Sequence, residues 1–216
     1  MSYDNEKTKF GKEHIYIVEM DLEYCSNTYG QVLCSASGQT GDSKCHNTRQ
    51  NCQVLDVAGN FQAATKTYRF CESRSAHPIG LVAIPSLNSV SISPAKIDLA
   101  GGLGTRASVN LSFIDHPASD IDVDKYVTER SYIALERGSF WTKLRARNPN
   151  YQFKSLRVLS GYLEDGVYIA ANFKTRYYII ESMNVSGGKA SIIAKDPLKL
   201  ASTKKALAPK ASNGLL

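Results

Sequence analysis

The sequence predicts a mainly β, mixed α+β fold: a β-barrel or sandwich body with one short helix. Three observations lead there. Segments in which apolar and polar residues alternate outnumber segments with helical spacing, Ser89–Ser93 and Ala107–Ile114 being the cleanest. Turn signals at Glu164-Asp165-Gly166 and Asn184–Gly188 join neighbouring apolar segments as hairpins. Only Ser139–Arg147 combines a cap, apolar residues four apart and cations in its last turn, as a helix requires.

The elements follow in chain order. Residues 1–12 are polar and charged and read as an arm that orders on a partner. His14–Glu23 is a strand with imperfect alternation, Ile15, Ile17 and Met20 being its core candidates. Thr65–Phe70 is a second strand. His77-Pro78 and Ile84-Pro85 mark turns or irregular extended chain, because proline disfavours the helical region for the residue before it. Ser89–Ser93 is a strand stopped by Pro94. Gly101–Gly104 is a turn. No helix opening on Lys-Ser/Thr follows it, so it does not have the form of a nucleotide loop. Ala107–Ile114 is a strand. Asp115, Asp120, Asp122 and Asp124 crowd together without the calcium-loop order and read as a solvated turn.

Val127–Leu135 fits strand and helix equally well. In the helix Ser139–Arg147, Ser139 is the cap, Phe140 and Leu144 share a face, Trp141 is a packing anchor, and Asn148-Pro149 ends it. Ser155–Leu163 is a strand with a bulge expected at Gly161. Val167–Ala171, Arg176–Met183 and Lys189–Lys195 complete the β elements. From Ser202 onward Lys, Ala, Ser and Pro without periodicity read as a tail or linker.

The chemistry concentrates between Cys25 and Cys52. Four of the five cysteines lie there as two pairs, Cys25-x8-Cys34 and Cys45-x6-Cys52. The residues around them are Ser, Asn, Thr, Gly and Gln, too polar to order the segment by burying apolar surface. Four uses of the thiols stand side by side. Disulfides need an oxidising compartment, and Met1–Lys7 lacks the apolar run of a secretory signal. Zinc favours shorter C-x2–4-C knuckles. An iron–sulfur cluster accepts longer loops. Free thiols are common in cores. Cys71 is a fifth cysteine that can substitute for one of the four. Lys44 and Arg49 would offset the negative charge of a thiolate centre. Cys45-His46 has no evident third orienting residue, so a thiol–imidazole nucleophile is not expected.

This cysteine frame, followed by Asn60-Phe61, resembles the cluster segment of the tail-tip protein L family of lambda-like siphophages. Gly104–His116, Gly138–Pro149 and Ala194–Ala201 are similar to tail-tip hub proteins of siphophages, Mu-like relatives among them. The resemblance implies a [4Fe–4S] cluster on Cys25, Cys34, Cys45 and Cys52, with Cys71 in reserve and Lys44 and Arg49 around it; zinc is the alternative. In the lambda member the cluster domain is C-terminal, whereas here the cysteines lie near the N-terminus.

It further implies a structural virion protein, not an enzyme: a homotrimeric tail-tip or baseplate hub. Its partners would be a distal tail protein, the C-terminus of a tape-measure protein, and central tip or fibre proteins. DNA would be met only as the passing genome, and no small-molecule substrate is expected. Assembly would take place in the host cytoplasm. The corresponding division is an N-terminal arm and first strand at 1–24, an iron–sulfur segment at 25–71, a β-rich hub body at 72–200 and a tail or linker at 201–216. The other readings are a zinc-stabilised nucleic-acid-binding module and, further off, an iron–sulfur redox protein.

Bulk properties narrow the field. No run of eighteen apolar residues exists, so no transmembrane helix is expected. The net charge of +6 concentrates in Lys143, Arg145, Arg147, Lys154 and Arg157 and in the lysines from Lys189 to Lys210. Such patches are more often solvated faces or contacts with acidic partners than nucleic-acid footprints.

Overall fold

The computed structural model describes residues 3–9, 11–12, 14–31, 34–36, 38–55, 60–73, 77–95 and 106–198. The Gly101–Gly104 turn and the tail from residue 201 lie outside them. Seven strands form a closed barrel: β1 (His14–Cys25), β2 (Ala63–Glu72), β3 (Ile84–Ser93), β4 (Ser108–Ile114), β5 (Ser155–Tyr162), β6 (Phe173–Ser186) and β7 (Lys189–Lys195). Round the barrel the order is β1-β2-β3-β4-β7-β6-β5, with β5 closing on β1. An odd number of strands cannot alternate direction all the way round a closed ring. The ladder between β2 and β3 is accordingly parallel, and the other six are antiparallel. Among the described residues two α-helices accompany the barrel, α1 (Tyr3–Lys7) and α2 (Phe140–Arg147). Among the described residues no helix is long and apolar enough to cross a membrane.

Alternation puts one set of side chains inside. Val18, Met20 and Leu22 of β1 join Phe70, Leu87, Val109, Leu111, Phe113, Leu156, Val158, Ile180 and Ile192 in one core, with Phe140, Trp141 and Leu144 of α2 packed into it. Trp141 stacks on Phe70 at 4.8 Å between ring centroids and meets Phe113 at 4.5 Å. Phe140 and Leu144, four residues apart, are both buried, as the helical spacing predicts.

The imperfect alternation of β1 has a physical cause, since the strand is covered on both faces. Ile15 and Ile17 point away from the barrel core and form a second cluster with Leu159 and Phe173, on which Leu81, Leu163 and Tyr168 pack. The crossover between the parallel strands β2 and β3 supplies Leu81 to this cover.

Several sequence expectations change. The arm before β1 contains α1, whose buried Glu6 is ion-paired with Lys9 (2.6 Å) and Lys12 (2.8 Å). Ile84-Pro85 opens β3 instead of preceding it, which proline tolerates at the start of a strand beside an irregular ladder. Gly161 is no bulge, for both of its ladders run without a shift. Its hydrogen makes room instead: a Cβ there would lie 2.3 Å from the Asn172 carbonyl oxygen. Val167–Ala171 is not a strand. Glu164 and Val167 close a two-residue turn over Asp165 and Gly166, both at positive φ, and the chain then makes a 3-10 turn at Ala170–Asn172. Val127–Leu135 is neither strand nor α-helix but holds a 3-10 turn at Val127–Glu129 and meets another at Ala134–Glu136.

The carbonyl of Ser139 accepts from Lys143 N at 3.1 Å, but the Ser139 side chain does not bond the backbone N–H groups of α2. Asp115 does so in its place: Oδ1 accepts from Trp141 N at 3.0 Å, and Oδ2 accepts from Ser139 Oγ at 2.5 Å.

Candidate functional site

β1 delivers the chain into the cysteine segment at its last residue, Cys25. The loop that follows returns beside it, with Cys25 N donating to Asn47 O at 2.7 Å. Asn60 ties the loop's two ends together. Its Oδ1 accepts from Ser35 N at 2.9 Å, its Nδ2 donates to Val54 O at 3.2 Å, and its own carbonyl accepts from Asn27 Nδ2 at 2.9 Å. The Cys25 thiol also points at that carbonyl, 3.7 Å away. Tyr29 N donates to the Tyr126 hydroxyl at 2.7 Å, fixing the loop to the segment after β4.

Cys25, Cys34, Cys45 and Cys52 line one small cavity, together with Asn60 and Phe61. Cys71 is elsewhere: it sits in β2 opposite Ile17, buried, 3.7 Å from His77 Nδ1. Lys44 is ion-paired with Glu129 at 2.5 Å and lies over the Tyr126 ring, and Arg49 lies over the Phe61 ring.

The metal expectation is corrected by this geometry. Among the described residues no group of three or more His, Cys, Asp or Glu is placed to hold a metal ion. The cavity between the thiols measures about 20 Å³, room for a water molecule and far less than a four-iron cubane. Burial pushes the Cys45 thiol up, the neighbouring cysteines adding to the effect. The [4Fe–4S] cluster, the zinc alternative, and the cluster-stapled hub and zinc-module readings built on them do not fit these residues. No disulfide joins the cysteines either.

What holds the loop is a buried charge network that the sequence reading took for a solvated turn. Asp120 and Asp124 are buried. Arg130 donates to Asp124 through Nε (2.9 Å to Oδ2) and Nη2 (3.1 Å to Oδ1). The same guanidinium gathers the cysteine loop, donating to the carbonyls of Gly41 (2.7 Å), Lys44 (2.6 Å) and Cys45 (3.0 Å). His46 Nδ1 lies 3.1 Å from Arg130 Nη2 and 3.4 Å from Asp124 Oδ2. Burial alone would raise the Asp124 carboxyl. Its hydrogen bonds with His46, Arg130 and the Tyr126 N–H outweigh that and hold it far below the usual carboxylate range.

Lys143 and Arg147 of α2 are paired with Asp120 at 3.0 and 3.1 Å, and Arg157 is paired with Glu19 (2.8 Å) and Asp21 (2.9 Å). Most of the apparent basic cluster is thus neutralised internally. Nothing near Arg130 in the sequence announced this role. Asn60 was visible only as part of the motif around the cysteines.

No protein-family model matches the chain, and no curated protein matches it.

Proposed function

We propose that this chain is a non-enzymatic assembly protein that meets other chains through the loops outside its barrel. One observation carries the reading: the barrel is closed, so it offers no strand edge for pairing, while large apolar side chains stand out from its loops. Ile121, Ile133 and Leu135 are 72, 61 and 55 % exposed, and Val82 is 88 % exposed. Val82 and Ile121 line the same groove of about 410 Å³. Exposed apolar groups gathered around a groove are a feature of interaction surfaces.

The resemblance to siphophage tail-tip hubs supports the same reading. It suggests a homotrimer in a virion, in contact with a distal tail protein, a tape-measure protein and central tip or fibre proteins. Light scattering on the purified chain tests this directly. The expected mass is three times 23.7 kDa, falling to one copy in Ile133→Asp/Leu135→Asp. A chain that stays at 23.7 kDa at every concentration overturns the trimer.

A further inference from the structure

A second cavity, of about 610 Å³, lies beside the cysteine loop, between β1–β2 and the segment Ile121–Lys125, and shares Asn47 and Thr48 with the cavity of the thiols. That volume is typical of sites for small organic ligands. Arg147 lines it and is only 9 % exposed. Its Nη2 is committed, at 3.1 Å from Asp120 Oδ2 and 3.6 Å from Asp124 Oδ2. Its Nη1 is buried and has no hydrogen-bond partner among the described residues. A buried donor left without an acceptor is costly, and a charged one more so, which favours any ligand that supplies the acceptor.

Two further cations line the same cavity; among the described residues they hydrogen-bond only neutral oxygens, and they lie over the Tyr68 and Tyr126 rings. Lys66 Nζ donates to the Asp122 carbonyl, and Lys125 Nζ to Asn27 O (3.4 Å) and Thr28 Oγ1 (3.2 Å). Burial depresses the Lys66 ammonium, the Asp122 carboxylate partly opposing it. Of the other charged groups on the wall, Arg69 is held by Glu19 at 2.8 Å, and Glu23 faces Lys154 at 3.7 Å.

We propose that this cavity binds a small organic oxyanion, a carboxylate or a phosphate ester, with Arg147 Nη1 and the ammonium groups of Lys66 and Lys125 donating to its oxygens. Leu22 and Val123 offer an apolar wall for the ligand's body. The site shares Lys66, Ile121 and Val123 with the groove of the assembly reading, but Ile133→Asp/Leu135→Asp leaves it untouched, because neither residue lines it.

Calorimetric titration of the full chain, at fixed ionic strength, with phenyl phosphate and separately with phenylacetate tests the proposal and separates its two anion classes. Saturable binding of at least one probe at roughly millimolar affinity or tighter is expected. Lys125→Met and Lys66→Met should each weaken it about tenfold, and Arg147→Met should abolish it. Arg147 also holds Asp120, so the two lysine variants, which leave that ion pair intact, keep the test decisive if Arg147→Met fails to fold. No saturable heat from either probe, or binding unchanged in both lysine variants, overturns the site.

Discussion

The barrel and the cysteine loop beside it are ordered by different forces. The barrel buries apolar side chains from all seven strands and α2 around Trp141, an attraction with no preferred direction. The loop has few such groups, Tyr29, Cys34, Ala36 and Tyr126 forming its buried cluster among the described residues. It is fixed by aimed hydrogen bonds from Arg130 and Asn60. A segment poor in apolar residues can be ordered by one buried ion pair whose unused donors satisfy the loop's carbonyls. The cost is dependence on a few atoms.

The comparison can be broken or sharpened by substitution. The largest effect is expected in the barrel: Trp141→Ala should lower stability by about 3–5 kcal/mol. Urea unfolding should report it as one transition for the whole molecule. A loss confined to α2 would mean that the barrel stands without its plug.

Arg130→Met should cost about 3 kcal/mol, because it removes the two-pronged counter-ion of the buried Asp124 and strands three loop carbonyls. Amide hydrogen exchange should locate the loss in residues 25–62 and 120–131 and spare β4–β7. Uniform loss across the barrel would refute the division. Gly161→Ala should cost about 1–3 kcal/mol through overpacking against Asn172, seen as a lowered melting temperature.

The gentlest probe is pH, and it should act on the two regions from opposite ends. Asp124 is depressed in the folded state, so its contribution is complete above its unfolded value of about 3.9 and is lost only as pH falls through the lower folded value. Loop amides should therefore stay protected at about pH 4 and open well below it. Tyr68, in the barrel core, is pushed up to about 12 by burial. Its contribution is complete below an unfolded value of about 10 and is lost as pH rises from there towards about 12. Tyr68→Phe should flatten that alkaline decline in a denaturation series.

Legibility in the sequence followed the range of the forces. β4, β6, β7 and α2 were readable because their patterns are local: alternation in Ala107–Ile114, the Gly187-Gly188 turn, and apolar residues four apart in the helix. β1 was blurred because Ile15 and Ile17 belong to a second cluster on the other face. The grouping of Cys25, Cys34, Cys45 and Cys52 came from the resemblance, and spacing carries no information on the volume left between the sulfurs. The acidic run was misread because its partners lie far off. Asp120 pairs with cations 23 and 27 residues later, and Arg130 reaches loop carbonyls 85 to 89 residues earlier. A charge run looks solvated until the fold returns its counter-ions.

The closure of β5 on β1 also has a consequence for synthesis. His14 pairs with Tyr162, so the first strand is made long before the neighbour that covers its second side. At about 5–20 residues per second, β1 waits from several seconds to about half a minute after it is made. Throughout that interval it presents an open row of backbone donors and acceptors to every other nascent chain nearby. The final product has no free edge, but its assembly line does, and chaperone demand should peak before residue 162 is added.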